Sequence, residues 1–123
     1  MNCSITDAEL EVMRLLWREK RALTIAEFRS ELELSKGWNK STINTLVSRL
    51  REKGAITHLD KYGAAQYVPL VTEDMYLLEE EKTILKKFGS AKNLAAAMVR
   101  NGHLTDADIE DLRAYFKMGG DEK

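Results

Sequence analysis

The chain has 123 residues, enough for one domain of ordinary size or for a small domain with an appended helical arm. Apolar residues make up 44% and support a core, whereas the formal net charge of -1 gives no global sign of nucleic-acid binding. The single cysteine excludes an internal disulfide and any site built from several thiolates. Because no secretory signal and no apolar run of about twenty residues is visible, we expect a soluble, cytoplasmic protein without membrane insertion.

The first part of the chain predicts two helices, each opened by a capping box. Thr6-Asp7-Ala8-Glu9 and Thr24-Ile25-Ala26-Glu27 both place a hydroxyl three residues before a carboxylate, so that each side chain satisfies a backbone amide of the first turn. The apolar spacing that follows predicts helices over about 6–19 and 24–34. Between them, Leu23 is placed to pair briefly as a strand.

A third helix is predicted over about 40–53, after a loop over 35–39 and before Gly54, which stops it. Its apolar residues recur at i, i+3, i+4 and i+7 and must face a core: Ile43, Leu46, Val47 and Leu50. The opposite face is small, polar and nearly free of acids: Ser41, Asn44, Thr45 and Ser48, flanked by Thr42, Arg49 and Arg51. Such side chains suit a helix that lies in a DNA major groove, although an ordinary amphipathic surface helix remains an alternative.

A hairpin is predicted directly behind the third helix. Residues 55–60 and 65–68 alternate with a period of two, Gly63 supplies a turn over 61–64, and Pro69 ends the hairpin. Helix, turn, helix and hairpin in this order make a winged helix-turn-helix. Residues 36–61 hold six lysines and arginines against two acids, and we expect Lys61 and Tyr62 at the tip to lie along a phosphate backbone.

The rest of the chain predicts three short helices, the first ended by Gly89 and the others capped by Ser90 and Thr105. Three short helices bury their apolar stripes poorly on one another. A second copy of the chain supplies the missing surface, which favours a homodimer, whereas packing on the winged helix is the alternative. The predicted dimerisation residues are Leu77, Leu78, Leu85, Phe88, Leu94, Met98, Ile109, Leu112 and Phe116.

We therefore expect a mainly α protein with a small β wing. Residues 1–71 would form a winged-helix DNA-binding domain and residues 72–123 a helical dimerisation region. His58 and His103 have no second ligand at metal spacing, and no phosphate loop, nucleophile elbow or paired acid constellation is present. We expect no catalytic residue, no metal and no cofactor, and hence no enzyme.

Several motifs in order resemble the penicillinase and methicillin-resistance repressor family of winged-helix transcriptional regulators. They are Thr6–Met13, Leu16-Trp17, Gly37-Trp38, Ser41–Leu50, Lys53-Gly54 and Tyr67–Leu70, and the match is dense over residues 5–70 and looser in the helical tail. The resemblance implies a dimeric repressor that binds a palindromic operator in double-stranded DNA, with the third helix in the major groove and interlocking C-terminal helices. It also implies release by a membrane sensor and protease pathway that responds to β-lactams.

Some positions depart from the family pattern. Asn44 stands where a lysine or similar residue is frequent, and Ala64 and Gln66 occupy wing positions that are often arginine. The bond between Ala97 and Met98 aligns with the Asn-Phe bond that is cleaved in the best-known members. The cysteine cluster of the copper-responsive relatives has no counterpart near the C-terminus.

These observations predict a sequence-specific repressor, with a winged-helix module for protein interaction as the alternative and a small enzyme disfavoured by the missing catalytic group. The expected DNA-binding residues are Lys40, Ser41, Thr42, Asn44, Thr45, Ser48, Arg49, Arg51, Lys53, Lys61 and Tyr62.

Overall fold

The computed structural model describes residues 4–119, although within that range the side chains of Lys61, Met118 and Gly119 are not described. In chain order, the elements are α1 (Asp7–Glu19), α2 (Ile25–Lys36), α3 (Lys40–Glu52), β1 (Ile56–Lys61), β2 (Ala64–Pro69), α4 (Glu73–Phe88), α5 (Ala91–Arg100) and α6 (Asp106–Gly119). The predicted mainly helical fold with a two-stranded wing is confirmed. The contacts divide the chain after Leu77 into two compact units.

Both predicted capping boxes are complete. The Thr6 hydroxyl accepts from the amide of Glu9 at 3.2 Å, and the Glu9 carboxylate accepts from the amide of Thr6 at 3.0 Å. Thr24 and Glu27 repeat the arrangement at 3.2 and 2.9 Å. Each box satisfies two amides that have no partner inside the helix, which fixes where α1 and α2 begin.

α2 ends two residues later than predicted, at Lys36, because the chain leaves the helix only where Gly37 adopts a left-handed φ of 70°. The loop before α3 is therefore three residues long rather than five. Trp38 lies half-buried in this turn against the core, and the Asn39 side chain accepts from the amide of Thr42 at 2.8 Å, which starts α3.

The core of the first unit lies between α1, α2, α3 and the wing. The predicted apolar stripe of α3 is buried as expected, and Ile43 and Leu50 are fully excluded from solvent. Trp17 closes one edge, where its indole N–H donates to the carbonyl of Val71 at 2.9 Å and its ring lies 5.8 Å from that of Tyr76. Burial of the stripe fixes which face of α3 points outward.

The wing is a tight antiparallel hairpin. Its register pairs Ile56 with Pro69 at one end and Lys61 with Ala64 at the other, so only Tyr62 and Gly63 remain in the loop. The predicted four-residue turn is wrong, because Tyr62 as well as Gly63 adopts a left-handed conformation, with φ of 55° and 78°. Two successive left-handed residues give the two-residue turn that suits the twist of a hairpin.

The predicted strand pairing of Leu23 is confirmed. Its amide donates to the carbonyl of Tyr67 at 3.0 Å, and its carbonyl accepts from the amide of Tyr67 at 2.7 Å. This single bridge attaches the segment between α1 and α2 to strand β2, so the wing is fastened to the helical part of the unit.

In the second unit the predicted helix boundaries are confirmed at Gly89, Ser90 and Thr105. The Ser90 hydroxyl accepts from the amide of Asn93 at 3.1 Å, and Thr105 and Asp108 exchange hydrogen bonds of 3.0 and 3.2 Å. Among the described residues from 78 to 117, only Ala97 is buried. No helix in the described part of the chain is long and apolar enough to span a membrane.

Candidate nucleic-acid interface

The outward face of α3 is polar and open to solvent. All the α3 residues that the sequence assigned to DNA are exposed: Lys40, Ser41, Thr42, Asn44, Thr45, Ser48, Arg49 and Arg51. They occupy one continuous side because the opposite side is fixed in the core by Leu46 and Val47. The first turn of α3 holds no acidic residue, whereas α1 and α2 both do. An acid-free first turn leaves the positive end of the helix dipole available to an anion.

Arg49 and Arg51 differ from most arginines of the chain in that neither forms an ion pair with a carboxylate of the described residues. All eight arginines lie in the described range, and five of them are paired with acids: Arg14, Arg18, Arg21, Arg29 and Arg113. Within the described residues, no side-chain hydrogen bond or ion pair engages either guanidinium group on α3, which favours an outside acceptor. Phosphate oxygens and the guanine edge are the acceptors that a guanidinium binds with two parallel hydrogen bonds.

The wing, which follows α3 in the chain, has an exposed tip. Tyr62 is 91% exposed at the tip of the hairpin, whereas the predicted contribution of the Lys61 side chain lies outside the described side chains. Ala64 is exposed and Gln66 is half-buried. Because both side chains are uncharged, neither supplies the positive charge that the resemblance associates with these two positions.

Lys53 is engaged elsewhere, although it was grouped with the DNA-facing residues. Its ammonium group donates to the buried carboxylate of Glu9 at 2.5 Å and to the carbonyl of Ser4 at 2.6 Å. The side chain is 30% exposed, and it follows the last residue of α3 as the C-cap. The proposal for the DNA-facing set therefore leaves Lys53 out.

Two residues that sequence reasoning passed over matter to this surface. Asn39 is the N-cap of α3. Because asparagine is favoured at N-cap positions, the sequence could have indicated this role. Glu9 was recognised only as a capping residue, but it is 1% exposed and pairs with Lys53. Glu9 stands three residues before Val12 and four before Met13, and both of these are buried. This helical spacing puts Glu9 on the inner side of α1, so its burial could have been predicted from the sequence.

The two histidines belong to different units. His58 is half-buried, with its ring 5.9 Å from that of Tyr67 and its Nε2 4.0 Å from Asp60, whereas His103 is exposed. In the part of the chain that the structure describes, no three His, Cys, Asp or Glu side chains are grouped so as to hold a metal ion.

The family model for the penicillinase repressor matches residues 5–118. This chain belongs to the penicillinase repressor family. It is 30% identical to the penicillinase repressor of Bacillus licheniformis over 110 residues, which covers 88% of this chain and 85% of that protein. It is 32% identical to the methicillin resistance regulatory protein MecI of Staphylococcus aureus strain N315 over 111 residues, which covers 89% of each.

The penicillinase repressor family also supplies the most informative solved structures. The DNA-binding domain of the repressor BlaI in solution matches with a TM-score of 0.54 and 36% identity, over 59% of this chain and 88% of that one. The monomeric Bacillus licheniformis BlaI in complex with the blaP half-operator matches with the same values. These relatives are repressors and not enzymes, so the predictions of the family, of the winged helix and of a non-enzyme are confirmed.

Proposed function

We propose that this chain is a DNA-binding transcriptional repressor that occupies a palindromic operator as a homodimer. The observation that carries the proposal is the outward face of α3, which its buried opposite side fixes in place. Hydroxyls, an amide and two arginines lie exposed on this face, and neither arginine pairs with a carboxylate in the part of the chain that the structure describes. Membership of the penicillinase repressor family and the likeness to a BlaI bound to a half-operator support it.

In this proposal α3 lies in the major groove. Ser41, Thr42, Asn44, Thr45 and Ser48 face base edges or neighbouring phosphates, because hydroxyl and amide groups both donate and accept. Lys40, Arg49 and Arg51 provide positive charge at the ends of the helix, and Lys61 and Tyr62 of the wing reach the flanking backbone. Phosphate contacts would set the orientation and base contacts the sequence preference.

The homodimer is proposed on the apolar side chains that the second unit leaves uncovered. Leu78, Phe88, Leu112 and Phe116 are each between 42% and 60% exposed. Leu77, at the end of the first unit, is 52% exposed, and Leu85, Leu94, Met98 and Ile109 are half-buried. Uncovered apolar side chains on three consecutive helices are typical of a surface that a partner chain buries. A palindromic site then follows, because two-fold symmetry in the protein requires two half-sites.

For release from DNA, we propose a signal from a membrane sensor and protease pathway that controls β-lactam resistance genes, as the family resemblance implies. The bond between Ala97 and Met98 lies inside α5, and Ala97 is only 7% exposed. Cleavage at this bond would therefore require α5 to open first. Limited proteolysis with the cognate sensor protease, read by mass spectrometry, would identify the bond that is cut.

The test is a salt titration of binding to duplexes from upstream of the gene and its neighbours, against scrambled duplexes of equal length. Selective binding with two protomers per site, weakening steeply as salt rises, is expected because each neutralised phosphate releases counterions. Equal affinity for all duplexes, or binding to a protein partner that is insensitive to salt, would contradict the proposal and favour a protein-interaction module.

A further inference from the structure

Glu9 and Lys53 form a partly buried contact between the start of α1 and the end of α3, 44 residues apart in sequence. The Glu9 carboxylate is 1% exposed, and its Oε1 accepts from Lys53 Nζ and from the amide of Thr6. Lys53 Nζ also donates to the carbonyl of Ser4. Among the described residues, the second carboxylate oxygen, Oε2, has no hydrogen-bond partner. The charge of Glu9 is thus compensated from one side.

The rest of α3 is held by contacts of a different kind. Its buried residues are apolar, and no residue from 40 to 52 has a side chain that forms an ion pair within the described part of the chain. Apolar contacts are not directional, so they resist separation of two helices more strongly than a small slide or rotation of one on the other. A hydrogen-bonded ion pair has a preferred geometry, and buried polar pairs are known to specify register.

The pair lies at the end of α3 that carries the two exposed arginines. Lys53 is the C-cap of α3, two residues after Arg51 and four after Arg49. A helix is stiff over so short a distance, so a shift of the cap moves both guanidinium groups with it. The ammonium group itself is directed at Glu9 and Ser4.

Resting on the DNA-binding role proposed above, we infer that Glu9 and Lys53 are positioning residues for operator recognition. The pair fixes the C-terminal end of α3 on α1 and thereby aligns Arg49, Arg51 and Ser48 with their acceptors. Discrimination between operator and other DNA depends on the pair, although neither residue binds DNA. General attraction to the phosphate backbone does not depend on it, because the pair carries one positive and one negative charge and removing both leaves the net charge unchanged.

The test compares the full-length chain with the double variant Glu9→Leu/Lys53→Met. Changing both residues removes both charges together, which avoids an unpaired buried charge. It also removes the hydrogen bond that the Glu9 carboxylate accepts from the amide of Thr6, so the free energy of unfolding is measured beside DNA binding. We expect the ratio of operator to scrambled-duplex affinity to fall about tenfold, the amount that one unfavourable base pair costs. Affinity for the scrambled duplex and its dependence on salt should remain as in the unaltered chain.

Lys40→Met is the matched control, because it makes the same substitution on an exposed lysine at the other end of α3. Loss of a phosphate contact should weaken binding to both duplexes and reduce the salt slope by about one. If the double variant behaves like Lys40→Met, Lys53 contacts phosphate and the inference is wrong. If a folded double variant keeps the full affinity ratio, the pair serves stability alone and the inference is equally wrong.

Glu9→Gln provides a second variant in case circular dichroism shows the double variant to be unfolded. It keeps the shape of the side chain and removes its charge, so we expect a smaller loss of selectivity in the same direction, and full selectivity would overturn the inference. Failure of the unaltered chain to select any duplex would overturn the proposed function itself. Selectivity that the unaltered chain shows and the variants retain would overturn only the role of Glu9 and Lys53.

Discussion

Arg49 is exposed on α3 and has no carboxylate partner among the described residues, so its removal should weaken DNA binding and hardly change the stability of the fold. We expect Arg49→Ala to cost about 1 to 3 kcal/mol of operator affinity, the range for a guanidinium that contacts a base or a phosphate. Isothermal titration calorimetry with the operator duplex measures the change in affinity. The free energy of unfolding, measured with urea, should be nearly the same as for the unaltered chain.

Arg14→Ala is the control for Arg49, since it removes an arginine of α1 that pairs with Glu11 at 3.1 Å. Exposed ion pairs of this kind contribute at most about 1 kcal/mol to stability, and operator affinity should not change. Equal effects of the two substitutions would mean that affinity follows total charge and not the surface of α3.

Glu9 also makes folding depend on pH. Burial opposes ionisation of its carboxyl group, but hydrogen bonds from Lys53 and from the amide of Thr6, together with the charge of Lys53, outweigh burial and lower the pKa below its ordinary 4.5. A carboxyl whose pKa is lower in the folded than in the unfolded chain stabilises the fold above pH 4.5, and this stabilisation is lost as the pH falls through the folded-state value.

We therefore expect the free energy of unfolding, measured with urea, to fall between neutral pH and pH values below about 4.5, and to fall less steeply in Glu9→Gln. Glu27 and Asp108 also have lowered pKa values, mainly through backbone hydrogen bonds from Thr24 and Thr105, and they are unchanged in the variant. The difference between the two pH profiles thus isolates Glu9. Parallel profiles would show that Glu9 does not contribute.

The wing turn holds a residue that is both strained and exposed. Tyr62 holds a left-handed φ of 55°, which a tyrosine adopts less readily than asparagine or glycine, and its side chain is 91% exposed. We expect Tyr62→Asn to raise the free energy of unfolding by about 1 kcal/mol and to lower operator affinity if the ring contacts DNA. Urea unfolding and titration of the operator measure the two effects on the same protein.

Gly63→Ala is the contrasting change in the same turn. Apart from Gly63 itself and its two neighbours in the chain, no heavy atom of the described residues lies within 4 Å of the added Cβ, so we assign any effect to the backbone φ of 78°. We expect a loss of about 1 kcal/mol in stability. If Tyr62→Asn and Gly63→Ala change stability in the same direction, the left-handed conformation at Tyr62 is not a source of strain.

Helices whose signals lie within a few residues could be predicted from the sequence, whereas features that depend on distant residues could not. Apolar spacing and capping residues such as Thr24 and Ser90 act within a few residues, so the helices were predicted with nearly correct bounds. The wing turn was missed because glycine alone signals a left-handed residue, and Tyr62 adopts this conformation only through the pairing of the two strands. The contact of Lys53 with Glu9 was missed because helical periodicity carries no information across 44 residues.

For the whole molecule, self-association should depend on the apolar side chains of the second unit. Leu112 is 45% exposed on α6, and an aspartate at this place in a buried dimer interface would put an unpaired charge there. We expect Leu112→Asp to sediment as a monomer at concentrations where the unaltered chain is a dimer, and to bind a full operator more weakly. Binding to a half-operator should be retained.

Leu34→Asp is the control for this change, because Leu34 is 89% exposed on α2, outside the helices of the second unit. The same substitution there should leave the sedimentation coefficient unchanged. A dimer that survives Leu112→Asp, or is lost in Leu34→Asp, would place the interface elsewhere.

Both tryptophans of the chain lie in the first unit, Trp17 against Val71 and Tyr76, and Trp38 in the short turn before α3. Indole emission therefore reports on the first unit, which includes the start of α4 around Tyr76. Trp38 is half-buried two residues before the start of α3, so we expect its emission spectrum to shift if α3 binds a duplex that displaces the water around that turn. The chain thus carries its own optical probe of operator occupancy, and no dye needs to be attached.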